Sequence, residues 1–291
     1  MGIAKETYAG TSTGSALSQK IRSFFDAVKT TSLSTWLSYA ILLIVILCAV
    51  FPDFFATHDA VTSKPGQQLK APSLTNYFGT DTLGRDQYSR IIYGAVHSLS
   101  GAFIATLVGL IVGTAFGLFA GSMGGVVDTI SMRIVDVLLS IPSLLLALSI
   151  IILLGFGTFN ASIAVGVASV AAFARLMRSE VIRVRSSDYI EAAIGSGGTF
   201  SKVLWRHILP NSLTSVIAFS ALQFGSAILQ LSTLSFLGYG PPPPTPEWGL
   251  LVAEGRNYIA TAWWLTAAPG LIIVLVVLAA NQISKSVREQ L

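Results

Sequence analysis

The side chains able to do chemistry gather in a few short stretches. Asp81, Arg85, Asp86 and Arg90 place two carboxylates and two guanidinium groups within residues 81–90. At that spacing they can pair with one another and order their own loop, or offer charge to a docking partner. Residues 187–211 carry Asp188, Tyr189, Glu191 and His207 around Gly195, Gly197 and Gly198. Ser220, Gln223 and Gln230 fall with Ala227 on one face at i, i+3, i+10 and i+7, a polar seam in an apolar helix. Such a seam can line a solute route or hydrogen-bond to neighbouring helices. What is missing is as informative. The histidines, His58, His97 and His207, are not paired on one helix face, which gives no support to a zinc site or a Ser-His protease. No Gly-Lys pair occurs, so there is no phosphate-binding P-loop. Cys48 is the single cysteine, and an intrachain disulfide is impossible. We expect no catalytic residue, no metal site and no enzyme activity in this chain.

The elements that must hold these groups are membrane spans. The chain is 53% apolar and 11% charged, against about 25% charged in an average soluble domain. A mean hydropathy of +0.70 fits an all-α polytopic membrane protein. The net charge of +4 leaves no nucleic-acid footprint. The apolar runs predict six spans, near residues 36–55, 99–123, 134–156, 161–176, 213–237 and 265–283. The resulting division is an N-terminal tail (1–35), a first span (36–56), an outer loop (57–98), a five-span core (99–284) and a C-terminal tail (285–291). A short amphipathic piece is expected around 21–28, and the first span reads as a retained anchor. Gly101, Ala105, Gly109, Gly113, Gly117 and Gly121 form a ladder of small residues at intervals of four. It suits either a helix that slides on its neighbour or tight static packing. Pro142 should kink the third span. Asp136 is either a pathway group or an interfacial residue beside Arg133.

The stretch 187–211 predicts two short helices in succession. Asp188 can cap the first with Glu191 as capping-box partner, and the glycines stop it. Thr199 can cap the second, whose apolar face holds Phe200, Val203, Leu204 and His207, and Pro210 closes it. Four consecutive prolines, Pro241 to Pro244, stiffen a second outer loop that continues into Glu247 and Trp248.

Glu191-Ala192-Ala193, then Gly197, then His207-Ile208-Leu209-Pro210 resembles the EAA loop of ABC-importer permeases. The run from Gly79-Thr80-Asp81 through Gly84-Arg85-Asp86 to Tyr93-Gly94 is similar to a signature of the second permease of oligopeptide, dipeptide and nickel importers, and Pro246 to Gly249 resembles the same branch. The resemblance implies a type I importer permease fold with six transmembrane helices. It implies that Tyr189, Glu191, Ala192, Ala193, Gly197, His207, Leu209 and Pro210 form the coupling loop that docks on an ATPase. The partners it implies are a homologous second permease, two ATP-binding domains and an extracytoplasmic solute-binding protein delivering peptides. ATP and magnesium would sit on the partners, with no cofactor on this chain. Glu247 and Trp248, with the 81–90 charges, are candidates for binding-protein contact or loop ordering.

Thirteen of the 18 Lys and Arg fall in the tails, the turn at Arg133 and the 175–206 region, and five in the outer loops. The positive-inside rule therefore puts both termini and the 187–211 stretch in the cytoplasm, and the resemblance implies the cell membrane of a prokaryote. Two alternatives are a permease of the same architecture carrying nickel or a chelated metal, and an ion-coupled secondary transporter. The second needs ionisable groups at mid-membrane, and no predicted span has a clear one.

Overall fold

The computed structural model describes residues 33–289. The amphipathic piece expected at 21–28, most of the N-terminal tail and the last two residues of the C-terminal tail lie outside them. Among the described residues there is no strand, only an isolated bridge between Thr80 and Asp86.

The helices, in chain order, are α1 (Leu33–Val50), α2 (Pro52–Phe55), α3 (Gln87–Met123), α4 (Gly125–Ser140), α5 (Ser143–Leu154), α6 (Thr158–Arg185), α7 (Asp188–Gly195), α8 (Phe200–Val203), α9 (Leu209–Phe236), α10 (Trp248–Gly255) and α11 (Trp264–Glu289). Five helical runs are long and apolar enough to cross a membrane. The α4–α5 pair makes a sixth span if counted as one.

Several boundaries differ from the expectation, each for a local reason. The first long helix is already formed at Leu33, the first described residue, and ends at Val50, because Pro52 starts the separate turn of α2. Residues 87–98, predicted as outer loop, are helical. Asp86 caps α3, its Oδ2 accepting from Ser89 N at 2.8 Å. At about 1.5 Å per residue α3 is some 55 Å long and outreaches a hydrocarbon core of about 30 Å. Its first turns carry the buried polar side chains Gln87, Ser89 and Arg90. Pro142 does more than kink the third span. It separates α4 from α5 at 92°, with Ile141 and Pro142 extended between them. Pro210 does not close a helix. A π-helical turn, Leu204–Ile208, joins α8 to α9, so that Leu209 N–H reaches the Leu204 carbonyl and Pro210 falls in the first turn of α9. The wider turn leaves room for the proline ring, and a missing N–H costs nothing at a helix start.

The core lies where α3 crosses α6. A methyl group on Gly113 would stand 2.5 Å from Phe173 Cβ and 2.6 Å from the Val170 carbonyl, and one on Gly121 2.9 Å from Val181 Cγ1. From the other side, a methyl on Gly166 would lie 2.7 Å from Val108 Cβ. Backbones this close interlock along the whole ladder, so it is a tight packing seam. Two charge contacts lock the end nearest the C-terminus of α3. Arg178 holds Asp128 through Nε at 2.8 Å and Nη2 at 2.6 Å, and Arg185 Nη1 donates to the Gly121 and Ser122 carbonyls at the end of α3. Asp136 pairs with Arg175 on the exposed surface.

Candidate functional site

At one end of the bundle α7 bridges α6 and α9. Ser187, not Asp188, occupies the cap position of α7, and no side chain closes a capping bond there or at Thr199. Asp188 and Glu191 both sit in the first turn, where the helix dipole favours carboxylates. Gly197 ends the turn at φ +86°, a left-handed value that glycine adopts without strain. Gly198 N–H returns to the Ala193 carbonyl at 3.1 Å, so close that a methyl there would stand 2.6 Å from the same oxygen. Ile190 is the single buried side chain of α7 and joins Val181, Val184 and Val203 in a small apolar cluster. Ala193 packs against the same cluster, and the other side chains of α7 point away from the bundle. Tyr189 and Ile194 are exposed at 47% and 56%, Glu191, Ala192 and Gly197 are exposed, and Ala193 is half-buried. On the following segment His207 and Leu209 are half-buried and Pro210 is exposed, while Asn211 Nδ2 ties back to the His207 carbonyl at 2.6 Å. A short helix held by one anchor, with aromatic and aliphatic side chains facing out, is a docking surface in form.

At the opposite end the 81–90 charges turn inward. Asp81 Oδ1 accepts from Leu83 N and Arg85 N, both at 2.8 Å, and its Oδ2 accepts from Arg85 Nε at 2.6 Å and Arg90 Nη1 at 2.9 Å. Arg90 is wholly buried and also reaches Glu254 Oε2 at 2.9 Å, with Arg85 3.7 Å from the same oxygen. Burial pushes the Glu254 carboxyl above its ordinary value, and Arg85 pulls it part of the way back. Asp86 caps α3 and accepts from Asn76 Nδ2 at 2.7 Å. Glu247 caps α10 through Leu250 N at 2.9 Å and accepts from Ser98 Oγ at 3.1 Å. Trp248, also buried, donates its indole N–H to the Ile91 carbonyl at 3.0 Å. Asp81, Arg85, Asp86, Arg90, Glu247 and Trp248 thus share one buried scaffold that fastens the outer loop and α10 to α3. Sequence reasoning missed its other members: Glu254, Ser98, and Gln87, whose Nε2 donates to the Leu265 carbonyl at 3.2 Å. The available signal was Glu254 following Glu247 by about two helical turns on one helix.

The seam on α9 is not gathered into a single site. Ser220 Oγ donates to its own helix at Ile217 O, 2.7 Å, and lines a mostly apolar cavity. Gln223 and Gln230 are half-buried, and Gln230 Oε1 is enclosed without a hydrogen-bond partner. Among the described residues no group of three His, Cys, Asp or Glu side chains is placed to hold a metal ion.

Residues 113–289 match the family described as binding-protein-dependent transport system inner membrane component. That span covers α4 to α11, including the α7 segment and α10. The chain belongs to this family of transport permeases. Among its relatives, a dipeptide transport system permease protein DppC from Alkalihalophilus pseudofirmus is 40% identical over 246 residues, covering 84% of this chain and 81% of that one. A glutathione transport system permease protein GsiD from Escherichia coli is 41% identical over 254 residues, 87% and 83% of the two chains. A probable D,D-dipeptide transport system permease protein DdpC from Escherichia coli K12 is 37% identical over 254 residues, 87% and 85%. In solved structures the permease is similar to a chain of the MetNI methionine ABC transporter in an inward-facing conformation. There the TM-score is 0.54 at 16% identity, with 68% of this chain and 96% of that chain covered. An amino acid ABC transporter chain gives the same TM-score over 69% and 94%. These likenesses establish the type I importer permease fold.

Proposed function

We propose that this permease is the membrane subunit of an ATP-driven importer that passes peptides across the cell membrane of a prokaryote. Its partners in this reading are a homologous second permease, two ATP-binding domains that carry ATP and magnesium, and an extracytoplasmic solute-binding protein. The relatives named for dipeptides and glutathione support the substrate class. The cationic side chains of α6 to α9 support a cytoplasmic location for α7 and for both termini. The observation that carries the reading is α7 itself, anchored by Ile190 and presenting Tyr189, Glu191, Ala192 and Ile194 outward. Closure of the ATP-binding domains would push α7 and, through it, α6 and α9, switching the solute path between outward-open and inward-open states. Polar Gln223 and Gln230 on α9 are candidates for that path.

Glu191→Trp tests the docking role, since position 191 is exposed and a bulky side chain there disturbs no core contact. Peptide uptake should collapse while membrane insertion and thermal stability in detergent stay as in the wild type. Uptake at the wild-type rate would remove α7 from the coupling step.

A further inference from the structure

An apolar groove runs between α3 and α9. One half is a cavity of about 290 Å³ between Phe103 and Phe224, with Leu42 of α1, Ser220 of α9 and Ala280 of α11 as further walls. Its other half, about 380 Å³, runs on through Leu110, which borders both, and ends at Trp205. From Phe103 to Leu118 on α3 the groove is about 22 Å long, enough for one leaflet's share of a bilayer core of about 30 Å. A hydrocarbon chain is slender enough to lie along it.

The end at Trp205 differs in chemistry from the rest. Trp205 is 61% exposed, as suits an indole at the boundary between hydrocarbon and headgroups. Lys202 and Arg206 flank it, both exposed and both without a carboxylate partner among the described residues. Two cations beside the indole that closes the apolar slot suit a negative headgroup on an apolar tail. We propose that this groove binds an anionic phospholipid, with one acyl chain along α3 and α9 and the phosphate on Lys202 and Arg206. On the orientation proposed above the lipid belongs to the cytoplasmic leaflet, next to α7. The site itself requires only a membrane.

The test uses the full-length chain with whatever subunits accompany it, reconstituted in phosphatidylcholine vesicles. These carry a small fraction of either phosphatidylglycerol or phosphatidylcholine with brominated acyl chains, which quench nearby indoles. The Trp205 signal is the difference between wild type and Trp205→Phe. We expect strong preferential quenching by the brominated phosphatidylglycerol. Lys202→Gln with Arg206→Gln should cut that preference about 25-fold, some five-fold for each cation. Ala115→Phe, at an exposed wall of the groove, should abolish quenching by both lipids. Equal quenching by the two lipids, a preference that survives loss of both cations, or no quenching because a protein segment fills the groove would each overturn the proposal. The readout involves no transport, so failure of the importer reading leaves it intact.

Discussion

Arg90 is the residue on which the buried charge scaffold turns. It bridges two carboxylates from distant parts of the chain, Asp81 at 2.9 Å and Glu254 at 2.9 Å, and it has no solvent exposure. Replacing it with Met keeps the bulk, takes the nearer cation from Glu254 and leaves Asp81 with Arg85 alone, and breaking a buried ion pair costs about 3–5 kcal/mol. Unfolding in detergent should show a loss of that size for Arg90→Met. Arg183→Met, in an exposed pair with Glu180, should cost less than about 1 kcal/mol. If the two variants unfold alike, the scaffold does not hold the outer loop. The charges of 81–90 were visible in the sequence, and so was their capacity to pair. That they face inward was not visible, because their shared acceptor, Glu254, enters from α10 some 164 residues away. Periodicity within a segment carries no information on which segment will lie across from it.

At the scale of the element, one hydroxyl joins the Trp248 and Glu254 contacts in docking α10. Ser98 Oγ donates to Glu247 Oε1 and accepts from Trp248 N, both at 3.1 Å, at the point where α10 meets α3. Ser98→Val leaves both groups buried without a partner, at about 1–3 kcal/mol each. The loosening should be local. Amide hydrogen exchange should quicken across residues 247–255 and stay unchanged in α6 and α9. Uniform quickening throughout the bundle would mean that α10 is not a separate stabilising unit. The elements themselves were largely legible, since long apolar runs and the ladder of glycines are strong local signals. Their joints were read less well. A cap at Asp86 started α3 earlier than hydropathy alone suggests, and a π-turn carried the chain through Pro210 where proline normally ends a helix. Both depend on a hydrogen bond closing, and hydropathy does not register that.

For the whole molecule, the seam between α3 and α6 limits how a transport cycle can proceed. The methyl-sized gaps at Gly113, Gly121 and Gly166 are already occupied by the facing helix, so sliding by even part of a turn would drive side chains into backbone. A helix pair packed this closely moves as one body, and on the coupling role proposed for α7 the motion it starts is taken up at the α4–α5 break or the π-turn ahead of α9. Cross-linking the pair tests this. Cys48 is the chain's only cysteine, so Cys48→Ser gives a clean background for Gly121→Cys with Val181→Cys. A Cβ built at 121 lies 3.0 Å from that of Val181, and a few tenths of an ångström of relaxation reaches disulfide geometry of about 3.5–4.5 Å. With α3 and α6 moving together, the oxidised protein should import as fast as the reduced one. Loss of uptake on oxidation, recovered with a reductant, would show that the two helices must shift against each other during the cycle, and the ladder would then be a sliding track.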